Sequence, residues 1–457
     1  MATLDRLREI VTSHRPAVPV VEATAKAVAV QTETAAVQTA DLDSDGFSRR
    51  LDDPDDCARA ALILGGALVE HDDGSVIVVD REYTADMLHG RMPIGEIVSI
   101  IEDGGDALQL MARAWPAAHG IDHRILFLDL ETTGLFGGAG TQAFLIGCAA
   151  IDGTSIRVRQ FLLPGFEHER AVLSELQAWA TSHGALCTYN GRTFDVPLIE
   201  TRFMFHRVPC PLDGVPHLDM LHAARRLWRQ RPLTMGTPDP DDSSCSLAVL
   251  EKHIAGLHRV GDVPGYEIPS RFFKFVRTGD ARPLEAVLEH NRLDLISLAA
   301  VLARAIVLIT RGPSAATTAQ EAYGLARVYE RGGAHDNAEA SLLKTIDFAS
   351  RIGAEPEVHG EALRRLAWIR RRNRRPHEAA QAWQQLASLP RCAASLRRQA
   401  AEALAIHHEH RSKNLDVARQ HVLELLSDPE SNKNRARHRL DRLERKMSRR
   451  GSLLPID

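Results

Sequence analysis

The spacing of apolar positions changes along the chain, and each change marks a different kind of element. Residues 1–60, with stretches such as "AVAVQTETAAVQTADLDSDG", hold no sustained period and read as a disordered tether. "LILGGALVEHDDGSVIVVDREY" (62–83) places two apolar runs around His71-Asp72-Asp73-Gly74, the pattern of a β-hairpin with an Asp-Gly turn. "IGEIVSIIEDGGDALQLMARAW" (94–115) reads as helix. Three strand-like runs follow, "ILFLDL", "AFLIGCAAI" and "IRVRQFLL", the last two joined by "DGTS". They predict an antiparallel meander. Helix and strand then alternate: "EHERAVLSELQAWATSH", "GALCTYN", "RTFDVPLIETRFMFH", "VPHLDML" leading into "HAARRLW", and "SCSLAVLEKHIAG" with Ser246 as N-cap. The long amphipathic run "RPLEAVLEHNRLDLISLAAVLARAIVLI" closes the block. This order predicts an α/β fold with a mixed sheet.

From about 313 the pattern is helical throughout, and it repeats. The segments 325–343, 366–383 and 404–423 each carry Leu-Ala, a polar turn, and a second Ala at 338, 379 or 418. Small residues at those places allow close helix packing, so each segment predicts a helix–turn–helix unit. The expected organisation is a tether (1–60), a small hairpin and helix segment (61–118), the α/β domain (120–310) and all-α helical repeats ending in a basic tail (313–457).

Composition adds limits. Of 457 residues 25% are charged and 44% hydrophobic, and the net charge of −4 announces no polyanion partner, so such a signal must be local. No apolar run is expected to reach the roughly 18 residues of a membrane span. The six cysteines form no CxxC pair, which argues against a zinc ribbon or a disulfide framework and for a cytoplasmic setting.

Candidate chemistry starts at "FLDLETTG" (127–134). Alternate strand residues share a face, so Asp129 and Glu131 lie side by side and repel. With no lysine nearby, the natural partner is a hard divalent cation, Mg²⁺ or Mn²⁺. Two such ions need further carboxylates. Asp195 in "YNGRTFDVPLI" and Asp294 in "HNRLDL" are the candidates. His290 precedes Asp294 by one helical turn, where it can take a proton from a water. Taken singly these residues read as turn or helix caps, or as a surface ion pair. Asp219 in "HLDML" reads better as a cap. Two basic runs, "ARRLWRQRP" (224–232) and "RRLAWIRRRNRRP" (364–376), suit phosphate contact or a solvated helix face.

"FLDLETTGLFGGAGTQAFLIG", "YNGRTFDVPLIETR" and "HNRLDLISL" resemble the three exonuclease motifs of the DEDD superfamily. The block 124–306 is similar to the YprB-type ribonuclease H-like domain, as are "HLDMLHAARRLW", "SCSLAVLEKHIAGLHRVGDVPGYEIP" and, further upstream, "HGRMPIG". The resemblance implies a ribonuclease H-like fold and 3′→5′ phosphodiester hydrolysis with two Mg²⁺ or Mn²⁺ ions. It implies Asp129, Glu131, Asp195 and Asp294 as ligands and His290 as the base. His290 and Asp294 are separated by three residues, where the histidine type of that superfamily usually has four. It further implies that Thr132, Thr133, Asn190, Phe194 and Asn291 meet a single-stranded DNA or RNA 3′ end. Phe194 fits stacking and core packing equally. The repeats resemble tetratricopeptide repeats of longer period and would hold a protein partner. The alternatives are a nucleic-acid scaffold with little cleavage, and a ribonuclease H-type endonuclease. No membrane role is expected.

Overall fold

The computed structural model describes residues 54–112, 115, 124–134, 140–228, 245–352 and 356–451. The expected tether lies outside these, except that residues 54–60 belong to a helix, α1 (Pro54–Ile63). Asp55 and Asp56 sit in its first turn, where the helix dipole favours acids, and Cys57, Ala60 and Ala61 are buried. Strands β1 (Ala67–His71) and β2 (Gly74–Tyr83) form the expected hairpin. Strands β3 (Leu88–His89) and β4 (Met92–Pro93) make a short second ribbon. The helix expected over 94–115 is two helices, α2 (Ile94–Glu102) and α3 (Gly105–Met111). They part at Asp103-Gly104, beside a second glycine, where a helix interior would be costly.

The α/β order follows: β5 (Ile125–Thr132), β6 (Ala143–Asp152), β7 (Ser155–Leu162), α4 (Glu169–Ala180), β8 (Ala185–Thr188), α5 (Asp195–Phe205), β9 (His217–Asp219) and α6 (Met220–Leu227). Then come α7 (Leu247–Ile254), α8 (Ile268–Thr278) and α9 (Arg282–Arg311). The sheet order is β1-β2-β7-β6-β5-β8-β9. The first five strands are antiparallel neighbours, and β8 and β9 are parallel to β5 and to each other. The β6–β7 turn uses Gly153 at φ 60°, a conformation open to glycine without strain. The hairpin is no separate segment: β2 pairs with β7 from Ile77 opposite Leu162 to Tyr83 opposite Ile156, and so extends the central sheet.

Seven helices complete the described chain: α10 (Ala319–Gly332), α11 (His335–Ile352), α12 (Pro356–Arg372), α13 (Pro376–Ser388), α14 (Ala394–His410), α15 (Leu415–Ser427) and α16 (Lys433–Gly451). Each packs on the next. The three repeated segments span α10–α11, α12–α13 and α14–α15. All six of their marked alanines, Ala326, Ala338, Ala367, Ala379, Ala405 and Ala418, are buried.

Two cores flank the sheet. Alternation on β5 sends Ile125 and Phe127 to one and Leu126, Leu128 and Leu130 to the other. The first core does not stop at the end of α9; Leu325, Ala326, Leu366 and Leu404 belong to it too. At Gly324 a Cβ would lie 2.3 Å from the carbonyl oxygen of Leu227, so glycine lets α10 abut the end of α6. The repeats are thus packed into the α/β domain and not hung from it. Helix α9 spans both cores. Leu284, Val287 and Leu288 enter the second and Leu295 onward the first, with residues 290–294 between them. Against expectation, the stretch Arg282–Ala315 is long and apolar enough to cross a membrane by length and composition. Most of it is buried inside the protein, because neighbours cover it on several sides.

Candidate active site

On β5, Asp129 and Glu131 continue the face that begins with Ile125 and Phe127. Asp129 stands opposite Gly147 of β6, and the register shifts just beyond Glu131. A Cβ at Gly147 would fall 2.0 Å from Oδ1 of Asn291. The missing side chain therefore admits the Asn291 amide from α9. Its Nδ2 donates to Asp129 Oδ2 (2.8 Å) and to the Asp129 carbonyl (3.2 Å), while Gln160 Nε2 donates to its Oδ1 (2.8 Å).

Asp195 reaches the same place from the other side of β5. The turn before it passes through Asn190 at φ 67°. Asp219 holds that turn: its carboxylate accepts from the N–H groups of Asn190 (2.8 Å) and Arg192 (3.2 Å), and also from Leu221 (3.0 Å) as the cap of α6. The expected cap role is present and serves the site as well. Asp195 opens α5, and the nearby backbone N–H of Leu130, between Asp129 and Glu131, favours its ionised carboxylate.

Helix α9 brings His290 and Asp294. The His290 Nε2 lies 3.6 Å from Asp294 Oδ2. Its Nδ1 lies 2.7 Å from Oδ1 of Asp262, in the loop after α7. Arg259 of that loop donates to Asp294 and holds Glu251 through two bonds of 2.8 Å.

The electrostatics follow from this crowding. Burial, then the charges of Asp294, Glu131 and Asp195, push the Asp129 carboxyl well above the usual range, against the pull of Asn291. Burial, Asp294, Asp195 and Asp262 do the same to Glu131. Burial raises Asp195 to about 6, although backbone N–H groups oppose it. All four carboxylates stay half-buried, open to a ligand. Among the described residues no three His, Cys, Asp or Glu side chains close into a ready-made ligand group; Asp294 is turned to Arg259 and Asp129 to Asn291. The donor chemistry suits a hard divalent cation: oxygen donors from three elements, short of positive charge.

The remaining expectations divide. Asn291 cannot meet nucleic acid, since it is 0% exposed and its amide is spent on Asp129 and Gln160. Phe194 is 57% exposed beside Asp195, which removes the core-packing reading. Thr132 Oγ1 donates to the Gly134 carbonyl (2.8 Å), and Thr133 Oγ1 accepts from the Gln142 N–H (3.1 Å), so both hydroxyls shape the loop after β5. Trp228 Nε1 donates to Glu321 (3.1 Å) and so braces the end of α6 to α10; residues 229–232 of that basic run lie outside the described residues. In the second run Arg365, Arg370 and Arg375 pair with Glu330 and Glu339 on other helices, while Arg364 pairs with Glu361 on its own.

Sequence reasoning missed Gly147, Gln160, Arg259 and Asp262. A glycine inside the buried strand "FLIGCAA" is itself a sign of close backbone approach. Arg259 and Asp262 carry no local signal beyond two charges in a loop between Ala255 and Val263, both buried.

A family model described as RNase_H superfamily matches residues 126–306, the span from β5 to α9. YprB of Bacillus subtilis (strain 168), itself an uncharacterized protein, is 30% identical over 389 residues, covering 82% of this chain and 87% of the relative. The domain class points to nucleic-acid hydrolysis. With that identity across most of both chains, and with the superfamily domain placed on the sheet that carries the four carboxylates, the protein belongs to the YprB family.

Proposed function

We propose that the protein is a divalent-metal-dependent nuclease, acting as a 3′→5′ exonuclease on single-stranded DNA or RNA. The observation that carries this is the set Asp129, Glu131, Asp195 and Asp294, brought from β5, α5 and α9 into one another's field with His290 a turn from Asp294. Those four carboxylates would hold two Mg²⁺ or Mn²⁺ ions. When bound, such ions lower the pKa of a water and offset charge on the phosphate oxygens. His290 would receive the proton at Nε2. Asn291 holds the Asp129 carboxylate in place. Phe194, exposed at the rim, would stack on a terminal base. The helical repeats would present the substrate or a protein partner to this site.

The test compares 3′- and 5′-labelled single strands of DNA and RNA, incubated with the full chain and Mn²⁺ or Mg²⁺. Release of mononucleotides from the 3′ end, lost in Asp129→Ala, is the expected result. Strand binding without cleavage under either ion would replace it with the scaffold reading. Internal fragments would replace it with the endonuclease.

A further inference from the structure

The loop between α7 and α8 faces the site with two charged residues that the proposed chemistry has not used. Its attachment is unusually complete. Gly90 lies so close that a Cβ there would sit 2.1 Å from the Ala255 carbonyl. Arg91 donates its backbone N–H to that carbonyl (2.7 Å) and its guanidinium to the carbonyls of His253 (2.8 Å) and Ile254 (3.1 Å). The "HGRMPIG" segment thus caps the last turn of α7, where the loop departs. Inside, a buried chain of polar contacts runs from His89 to Ser297 (2.8 Å) and from Ser297 to Glu251 (2.5 Å), then to Arg259. Arg259 also reaches Asp262 (3.3 Å). The N–H of Val263 donates to Asp262 (2.9 Å). Asp262 is therefore fixed from two sides, by Arg259 and by the Val263 N–H, before it meets His290.

We infer that Asp262 is a positioning residue that sets the tautomer of His290. A carboxylate 2.7 Å from Nδ1 requires a proton there, because two acceptors cannot share a hydrogen bond without one. Neutral His290 then carries its lone pair on Nε2, the nitrogen turned toward Asp294. Nε2 is the nitrogen that faces Asp294 and the proposed metal site, so only that tautomer can take a proton there. Arg259 serves the same end from below, holding Asp294 and Asp262 through one guanidinium anchored on Glu251. An aspartate that orients a histidine this way matters because the opposite tautomer leaves geometry intact and removes the base. This inference rests on the nuclease reading for its importance in turnover, but not for its structural content.

The experiment uses the full chain without metal, labelled with ¹⁵N-histidine, at pH 8. Long-range ¹H–¹⁵N correlation reads the tautomer, and the His290→Gln spectrum identifies the signal among 21 histidines. The expected result is Nδ1–H in the wild type and Nε2–H or a mixture in Asp262→Asn. With Mn²⁺ and a short oligonucleotide, Asp262→Asn lowers kcat about 10²-fold or more, the usual share of a general base, with KM changed less than threefold. Mn²⁺ affinity by calorimetry stays within threefold. Asp262→Ser repeats the measurement if the asparagine variant unfolds. An unchanged tautomer overturns the inference, and so does an unchanged kcat in a wild type that cleaves. A tenfold loss of Mn²⁺ affinity with the tautomer intact makes Asp262 a ligand and also overturns it. If the wild type cleaves nothing, the nuclease reading fails and the tautomer alone decides.

Discussion

Glu169 and Asp129 are both carboxylates drawn inside the α/β domain, and burial pushes both toward the neutral form. Around Glu169 the chain supplies Arg202 through Nε (2.6 Å) and a second guanidinium nitrogen, His206 (2.8 Å) and Gln142 (3.1 Å). Those bonds outweigh burial and hold its pKa below the ordinary value. Around Asp129 it supplies three more carboxylates and one neutral amide, and the pKa rises. Glu409 shows the first solution again: Arg439, Arg442 and Lys446 of α16 bind it at 2.6–3.0 Å, and against burial the bonds from Arg442 and Lys446 bring it down to about 2. A structural carboxylate here is matched within the chain. The cluster on β5, α5 and α9 is matched only in part, by Arg259 at one corner. That imbalance is the physical basis of the metal site proposed above.

The comparison breaks most visibly under substitution. Asp129→Asn is expected to lower nuclease turnover by about 10³-fold or more, the several kcal/mol that metal-borne charge stabilisation supplies, without loss of thermal stability in the metal-free protein. A clear destabilisation would mean that Asp129 is structural. Glu169→Ala should do the reverse. It strands Arg202, and unfolding in urea should show a loss of about 3–5 kcal/mol, with turnover on the folded fraction retained.

Acidity separates the two groups by sign. Asp195, raised to about 6, favours the folded state fully below its ordinary value near 3.8, and that contribution is lost as pH rises through about 6. Glu169, lowered, favours folding above its ordinary value of 4.5, and the contribution is lost as pH falls through its lower folded value. Metal-free protein should therefore gain stability from the site between pH 7 and 5. Mn²⁺ at a hundredfold its dissociation constant should add about 2.7 kcal/mol at pH 7. Denaturation at both pH values, with and without Mn²⁺, reads this directly; a slope unaffected by Asp195→Asn would refute the assignment. The smallest effect sets the baseline. Arg351 pairs with Asp347 on the surface of α11 at 2.9 Å, and Arg351→Ala should cost less than about 0.5 kcal/mol in the same assay.

Much of this site was legible because its signals are local. Strand alternation alone places Asp129 beside Glu131, and one helical turn joins His290 to Asp294. The meander of β5, β6 and β7 and the paired alanines of the repeats were legible for the same reason: periods of two and of 3.6 belong to neighbours in the chain. Asn291 shows where that reach ends. It stands next to the expected base, yet its partner Asp129 is 162 residues away, and the space for it is made by a glycine on a third element. The hairpin's place in the central sheet and the packing of Gly324 on Leu227 also join segments that are not neighbours in the chain. Asp262 reaches His290 from a different element, across 28 residues. Local pattern determines which face a carboxylate occupies. Only the closed fold decides whether a cation, an amide or another carboxylate comes to meet it, because that depends on which elements pack together and how nearly their backbones can approach.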